Sequence, residues 1–582
     1  MSSEQQSPQE SSDALLSRPS RRVVASVFIL IALAAMLLRL GGIGWGLPNE
    51  SHHNSLHPDE PILAAAEAAP YFKPGFYNYG SLYTTVQKLL CDAGRTYGWI
   101  PKPTEGKLWE EERGVVLTGR VLSAAAGSLA CAFLFLAALE IVGLAGAVAA
   151  AFLLSIGPGF VVHARFQTTD VFVTLLVAIA LWLVLRIVRS ENSPLRLVIA
   201  AGACCGLAAG TKYTGVLLLL SLWSALYIAD KGQFWKRLWA GTAAAAVAFL
   251  IATPGVLIDS AKFWKDFSYE LSHTATGHGL VFENTPSGFL YHIGNLVAAY
   301  GGVALLASVG GLAMGGAKKS AWLIPVALFA VAYYIAIGRA EVKFMRYVFP
   351  LLPCLALGVG VIVEELHRRG TLWRIANALL VLVAGISMTS PTGAVGLTML
   401  MVDQDPREQA GKWLLERVRS GASLGFVSDP WFYSPTVFPG TNLFFDPSTG
   451  LVGADARLAA MRAASERLIR VGEVGQARSD YNLELLDLAP DYIVISSFEF
   501  LDHDRVRDPG YMRFMPELLK RYELTAIFWA DTPTTRPEGP IEGGVERDWS
   551  RVRFAFSSRY PTSPHDLMYI RPTLCVFQKK GN

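Results

Sequence analysis

The chain has 582 residues, of which 52% are hydrophobic and only 17% are charged. Together with a mean hydropathy of +0.35, this composition excludes an ordinary soluble globular protein and predicts a polytopic membrane protein. The net charge of +3 is too small to indicate a nucleic-acid-binding protein.

Residues 1–22 are rich in Ser, Gln and Glu, which predicts a disordered tail. The apolar run from Val23 is longer than the ~7–15 residues of a signal-peptide core, so we predict an uncleaved first span. About eleven apolar segments between residues 23 and 392 approach the ~20 residues that a membrane helix needs. They are Val23 to Leu40, Val115 to Leu139, Ile141 to Ile156, Val171 to Leu185, Leu197 to Ala209, Thr214 to Ala229, Leu238 to Leu257, Ile293 to Met314, Ala321 to Ile337, Tyr347 to Val363 and Ile375 to Met388.

Basic residues alternate between the connections and set the predicted orientation. Arg21 and Arg22 precede the first segment, and four further clusters follow. These are Arg186, Arg189 and Arg196; Lys231, Lys236 and Arg237; Lys318 and Lys319; and Arg368, Arg369 and Arg374. The positive-inside rule places all of them in the cytoplasm. In a cell (inner) membrane, the N-terminus is then cytoplasmic, and the large first loop, residues 41–114, and residues 393–582 are extracytoplasmic.

The first external loop contains the tetrapeptide His57-Pro58-Asp59-Glu60. Pro58 and Asp59 suit the start of a helix, so both acids could simply cap a loop helix. A carboxylate in such a loop could also act as a general base. Asp170, at the start of the fourth apolar segment, poses the same choice, because an acid there also stabilises a helix N-terminus.

Several cations are predicted on the same external side, against the positive-inside trend. They are Lys212, Arg339, Lys343 and Arg346. Charges at membrane helix ends are costly unless they are paired or bound to something, so the cluster suggests an anionic partner such as a lipid phosphate. Snorkelling of the long side chains to the interface is the alternative.

Four segments resemble, in order, recurrent motifs of the bacterial, glycosyltransferase family 39-like GT-C glycosyltransferases related to protein O-mannosyltransferases and the lipid A aminoarabinose transferase. They are His57 to Glu60, Ala164 to Asp170, Gly206 to Gly215 and Arg346 to Pro353. The resemblance covers roughly residues 20 to 390. It implies a GT-C-type helical membrane domain that transfers a sugar, with inversion, from a polyprenyl-phosphate carrier to an acceptor hydroxyl of a protein, lipid or glycan outside the cytoplasm.

The resemblance also implies residue roles. Asp59 is expected to take the acceptor proton, Glu60 to orient the acceptor or hold Asp59, and Asp170 to assist in catalysis or acceptor positioning. The residues expected to bind the lipid phosphate are Lys212, Tyr213, Arg346, Lys343 and Arg165, the last of which could instead pair with Asp170.

No cofactor is required by these motifs, although a divalent cation stays an alternative because some GT-C relatives use one. Loop acids and histidines could supply ligands, but no recognised metal spacing occurs. The competing class is a membrane transporter of a lipid-linked or anionic substrate, since intramembrane charges also mark substrate pathways. The long first loop, the soluble C-terminal part and the lack of an internal repeat favour an enzyme.

Residues 393–582 have a soluble composition and predict an extracytoplasmic α/β domain. Amphipathic helices are expected at Pro406 to Val418 and Ala459 to Arg470. Buried strands are expected at Ser423 to Ser428, Asp491 to Ser496 and Leu574 to Phe577. No Gly-rich phosphate loop appears, so a nucleotide-sugar donor is not supported.

Overall fold

The computed structural model describes residues 19–102, 107–190, 193–229, 231–390, 393–419, 422–428, 431–437, 468–469, 481–528 and 564–581. Up to residue 402 the described chain is helical. Its α-helices are α1 (Arg21–Leu40), α2 (Glu60–Ala68), α3 (Leu82–Tyr97), α4 (Leu108–Leu139), α5 (Leu144–Ser155), α6 (Pro158–His163), α7 (Thr169–Val188), α8 (Leu195–Ala209), α9 (Leu218–Ala229), α10 (Phe234–Ala252), α11 (Gly255–Ile258), α12 (Ser260–Thr276), α13 (Gly288–Tyr300), α14 (Gly302–Ala317), α15 (Leu323–Gly338), α16 (Leu352–Arg368), α17 (Thr371–Thr389) and α18 (Ala394–Val402).

Each predicted apolar segment coincides with one or two of these helices. Within the described ranges, five helices are long and apolar enough to cross a membrane, or up to seven if each bent helix pair counts as one span. Three shorter apolar helices, α5, α8 and α15, have 10–17 residues. The chain is therefore a multi-pass membrane protein, and the count of eleven spans stays a prediction.

The segment predicted as one span from Ile293 to Met314 is instead two helices, α13 and α14, bent by 110°. Gly301 joins them with φ 91°, a conformation that favours glycine. A Cβ on Gly301 would also lie 2.6 Å from Met388 Cγ. Hydrophobicity extends through the bend, so an apolar window could not detect it.

Small residues allow the membrane helices to approach each other closely. A Cβ added to Gly202 in α8 would lie 2.0 Å from the carbonyl oxygen of Gly241 in α10. Backbone contact of this kind is typical of helix pairs in membranes, where packing rather than water exclusion holds helices together.

The C-terminal part contains a five-stranded sheet flanked by helices. The helices are α19 (Pro406–Arg419), α20 (Glu484–Asp487), α21 (Ser497–Val506) and α22 (Pro509–Arg521), and the strands are β1 (Leu424–Phe426), β2 (Leu468–Ile469), β3 (Tyr492–Ser496), β4 (Tyr522–Phe528) and β5 (Leu574–Lys579). The strand order is β2-β1-β3-β5-β4. Strand β1 pairs parallel with both β2 and β3, and β5 pairs antiparallel with both β3 and β4.

The three strands expected from the sequence overlap β1, β3 and β5, and the first amphipathic helix corresponds to α19. The second, Ala459 to Arg470, lies outside the described residues except for Leu468–Ile469, which form β2 rather than helix. Just before β5, the short 3₁₀ helix His565–Ile570 packs Leu567, Tyr569 and Ile570 into the core of the membrane helices. This segment brings the C-terminal part to the site described next.

Candidate active site

Several helix ends and loops meet at one end of the membrane helices. Asp59 immediately precedes α2, Asp170 lies in the first turn of α7, and Lys212 follows α8. Arg346 lies in a 3₁₀ helix, Met345–Leu351, that leads into α16. These four residues, predicted on separate external loops, come together in the structure.

Arg346 is the centre of the cluster. Its Nη2 lies 3.1 Å from Asp59 Oδ2, and its Nε lies 3.8 Å from Asp170 Oδ2. Its guanidinium also stacks on Phe344, 4.0 Å from the ring centroid. With only 5% of its side chain exposed, Arg346 is fixed between the two acids rather than snorkelling to the surface.

Lys212 is the second cation of the cluster. Its ammonium forms an ion pair with Asp170 and lies 4.2 Å from the ring centroid of Tyr347. Asp170 thus bridges Lys212 and Arg346, which places two cations around one largely buried carboxylate.

A third acid, Asp566, reaches the cluster from the C-terminal part. Its carboxylate accepts hydrogen bonds from the backbone N–H groups of Met345 and Arg346, each at 3.1 Å. It also lies 3.7 Å from Arg346 Nη1 and 3.5 Å from His163 Nε2. Burial raises the pKa of Asp566, although the positive charge of Arg346 opposes the increase. Asp566 therefore fixes both the backbone and the side chain of the central arginine.

Asp59 is the most accessible of the three acids, with 31% of its side chain exposed against 4% for Asp170 and none for Asp566. It occupies the N-cap position of α2, but its side chain makes no capping hydrogen bond. Burial works to raise the pKa of Asp59, yet the charge of Arg346 and, to a smaller extent, nearby histidines lower it below its usual value. Asp59 is therefore an ionised carboxylate that is partly exposed.

Glu60 has a different environment from its neighbour. Its buried carboxylate forms a bidentate ion pair with Arg120, at 2.9 and 2.7 Å, and accepts hydrogen bonds from Ser55 and from the backbone of Gln167. Burial alone would raise the pKa of the Glu60 carboxyl. The charge and hydrogen bonds of Arg120 outweigh burial and lower that pKa below its usual value. The geometry gives Glu60 a role in joining the first loop to α4, which supports Asp59 indirectly.

We expect Glu60→Gln to destabilise the fold, because Arg120 would keep its buried charge without a charged partner. Breaking a buried ion pair in this way costs about 3–5 kcal/mol. Thermal unfolding in detergent should show a clear fall in midpoint. The control is Glu50→Gln, an exposed residue of the same loop, which should leave the midpoint unchanged.

Three residues predicted to bind phosphate lie in other contacts. The Tyr213 hydroxyl donates to the backbone carbonyls of Tyr77 and Tyr79, at 2.7 and 3.2 Å. Lys343 Nζ contacts Thr285 Oγ1 at 3.2 Å and Glu341 Oε2 at 3.3 Å.

Arg165 points away from Asp170, contrary to the suggested ion pair. It donates to the Leu38 carbonyl at 2.9 Å and to Thr398 Oγ1 at 2.6 Å. Its position in the loop turns the guanidinium towards the end of α1 and towards α18. The contacts of Arg165 therefore join helices, and Arg165 does not reach Lys212 or Arg346.

Sequence reasoning missed Asp566, Arg120 and the position of His163. Asp566 lies in a part of the chain read only as a soluble domain, and Arg120 lies inside an apolar segment. A charge within a membrane segment is itself a signal of pairing or function, so Arg120 was detectable. For Asp566, no local pattern indicated a contact 220 residues away.

In the described part of the chain, no group of three or more His, Cys, Asp or Glu side chains is arranged to bind a metal ion. His273 and His278 do lie together, with Nε2 and Nδ1 2.9 Å apart. This histidine pair alone offers too few ligands for a closed metal site.

Residues 114–258 match the model of a family described as dolichyl-phosphate-mannose-protein mannosyltransferase. Over these residues the predicted resemblance to protein O-mannosyltransferases is confirmed. The matched stretch contains Asp170 and Lys212, whereas Asp59 and Arg346 lie outside it. No curated protein is similar enough in sequence to match.

Similar solved structures include ArnT from Cupriavidus metallidurans bound to undecaprenyl phosphate, with 14% identity, 84% of this chain and 95% of that chain covered, and a TM-score of 0.49. The Archaeoglobus fulgidus oligosaccharyltransferase has 15% identity, with coverage of 91% and 76% and a TM-score of 0.48. The S. cerevisiae Pmt1-Pmt2 complex has 18% identity, with coverage of 47% and 38% and a TM-score of 0.29.

Proposed function

We propose that this protein transfers a sugar from a polyprenyl-phosphate carrier to a hydroxyl of a protein, lipid or glycan acceptor, with inversion, on the extracytoplasmic face. The observation that carries the proposal is the meeting of Asp59, Asp170, Lys212 and Arg346 in one cluster. An accessible carboxylate beside two fixed cations supplies both a base and a site for a leaving phosphate.

In the proposed reaction the acceptor oxygen bonds to the anomeric carbon of the sugar as the bond from that carbon to the phosphate oxygen breaks. The acceptor proton passes to Asp59. The electron pair of the broken bond stays on the lipid phosphate, whose negative charge Lys212 and Arg346 stabilise. Preorganised charges of this kind need no reorganisation as the transition state forms.

Donor binding would also activate the base. The cluster holds three carboxylates, Asp59, Asp170 and Asp566, against two cations. A phosphate that binds Arg346 must therefore compete with an acid, and Asp59 is the most exposed of the three. Loss of its ion pair with Arg346 raises the proton affinity of Asp59, so the base becomes stronger when the donor is in place.

Asp566 is proposed as a positioning residue for Arg346. Asp566→Asn keeps the side-chain size but removes the charge and one of the two acceptor oxygens. Because a displacement of about 1 Å can cost on the order of 10²-fold in rate, we expect kcat/KM for the donor to fall by about 10- to 100-fold. The control is Asp487→Asn in α20, whose side chain is 70% exposed.

A rise in donor KM with an unchanged unfolding midpoint would support positioning. If Asp566→Asn instead lowers both the activity and the unfolding midpoint, Asp566 has a structural role only. Asp566→Glu, which retains the charge, should recover part of the donor affinity that Asp566→Asn loses.

The direct test of function uses the purified full chain with a panel of polyprenyl-phosphate sugars and peptide, lipid and glycan acceptors. Transfer from at least one lipid-phosphate donor, with release of polyprenyl phosphate, is expected. Transport of a lipid-linked substrate across proteoliposomes without formation of a glycosylated product would reject the proposal.

The proposed face can be tested by cysteine labelling. The six native cysteines are all buried, so a cysteine introduced at exposed Glu50 should dominate labelling of intact cells. We expect a membrane-impermeant maleimide to label Glu50→Cys from outside, and Lys319→Cys only after the membrane is opened. The reverse pattern would place the candidate site in the cytoplasm.

A further inference from the structure

A cavity of about 810 Å³ lies between α1, α4 and α7, within the size range of ligand sites. Its lining includes the first residues of α1 and the last residues of α7. Asp170 lies in the first turn of α7 and Arg186 in its last turn, so the cavity is about 25 Å from the candidate active site along that helix. It is therefore a separate site near the opposite membrane surface.

The inner lining of the cavity is aromatic and apolar. Phe28 packs edge-on against Phe133, with ring centroids 5.4 Å apart, and Phe133 contacts Trp182 at 5.7 Å. The spanning part of α1 is only 11% buried within the protein, so this helix faces the lipid. The cavity is thus accessible to acyl chains from the bilayer.

The surface end of the cavity is cationic. The charged residues of the described lining are Arg21, Arg186, Arg189 and Glu140. Arg186 Nε lies 4.0 Å and Arg189 Nη1 3.8 Å from the Glu140 carboxylate, both longer than a strong charge-assisted hydrogen bond. Arg186 is held over Trp182, with its guanidinium carbon 5.2 Å from the ring centroid. Among the described lining residues, three arginines thus stand against one glutamate, which gives this part of the lining a positive excess.

From this combination we propose that the cavity binds an anionic glycerophospholipid. The phosphate lies among Arg21, Arg186 and Arg189, and the acyl chains lie along Phe28 and Phe133. Arginine suits this role because its planar fork binds phosphate oxygens in pairs. Basic pockets between membrane helices recognise anionic headgroups in the same way. The site is independent of sugar transfer and ties α1 to α4 and α7 through the lipid.

The test measures lipids bound to the full chain in phosphatidylcholine nanodiscs that contain phosphatidylglycerol. Native mass spectrometry should show phosphatidylglycerol retained on the wild type in preference to phosphatidylcholine. The double variant Arg186→Gln/Arg189→Gln should lower that affinity by about 30-fold, since each arginine near a membrane contributes roughly fivefold.

The matched control is Arg368→Gln/Arg369→Gln. These arginines end α16 with similar exposure, 46% and 48% against 46% and 38%, but they pair with Glu364 and Glu365 and do not line the cavity. The control should retain phosphatidylglycerol as the wild type does. Equal loss in both double variants would reduce the effect to general surface charge and overturn the proposal.

Two further outcomes would also overturn it. Equal retention of phosphatidylcholine and phosphatidylglycerol by the wild type would mean that acyl chains alone fill the cavity. In the second outcome, equimolar undecaprenyl phosphate displaces phosphatidylglycerol from the wild type but does not bind to Arg186→Gln/Arg189→Gln. That result would assign the cavity to the polyprenyl carrier.

Discussion

Asp59→Asn should reduce the rate of sugar transfer by about 10³-fold, the middle to upper part of the range for loss of a general base. Asparagine has nearly the same shape but cannot accept a proton from the acceptor hydroxyl. Binding of the donor should persist, because the variant removes the acid that competes with phosphate for Arg346. The measurement is single-turnover transfer from a radiolabelled polyprenyl-phosphate sugar, with donor binding measured in parallel.

The exposed acid Glu50, in the same loop, provides the matched control, and Glu50→Gln should transfer sugar at the wild-type rate. Turnover of Asp59→Asn within a few-fold of wild type would reject Asp59 as the base. Loss of donor binding in this variant would show instead that the carboxylate helps to hold the donor.

The pH profile supplies a second measurement on Asp59. Its pKa in the folded protein lies below its usual value because of Arg346, so Asp59 stays ionised to lower pH than a free aspartate does. The value of kcat/KM, which reports the free enzyme, should therefore show no loss from Asp59 between pH 8 and about pH 5. The acid limb of the kcat profile should lie at higher pH than that of kcat/KM. In the donor complex the phosphate occupies Arg346, so Asp59 loses its ion pair and its pKa rises. Coincident acid limbs would argue against this exchange.

Arg346→Gln should lower kcat/KM for the donor by about 10²- to 10³-fold, the cost of losing one fixed donor to a developing oxyanion. The variant also leaves Asp59 and Asp170 without a shared cation, so the two acids repel an incoming phosphate. We expect a large increase in donor KM together with a fall in kcat. Steady-state kinetics with varied donor concentration separate the two effects.

Arg339→Gln is the control for this experiment. Arg339 follows α15 in the same loop, but its side chain is exposed, and it makes no ion pair or hydrogen bond with the described cluster. Its replacement should change donor KM by less than twofold. If Arg339→Gln and Arg346→Gln had equal effects, the loop would attract the donor through general charge rather than through a fixed contact.

Hydrophobic patterning predicted where helices form, because each apolar segment must satisfy its backbone hydrogen bonds internally in a membrane. It did not predict how they bend. The 110° turn at Gly301 depends on a positive φ and on close contact with Met388, both of which are properties of the folded chain. The sequence offered no break in hydrophobicity to mark it.

The candidate site was predictable in part, for a physical reason that separates two adjacent acids. Successive residues at a helix start point about 100° apart, so Asp59 faces Arg346 while Glu60 faces Arg120. Chemistry alone could not assign these directions. Asp170, Lys212 and Arg346 were predictable because each lies at a membrane helix end, where a charge needs a partner.

The contact between Arg346 and Asp566 joins residues 220 positions apart. Arg407 strengthens the same connection, since it donates to the carbonyls of Tyr569 at 2.9 Å and of Leu56, near Asp59, at 3.3 Å. Ribosomal synthesis reaches Asp566 only after all the membrane helices have been made. Nascent chains in which residues 565–570 have not yet docked therefore lack the Asp566 contacts that hold Arg346 in the cluster.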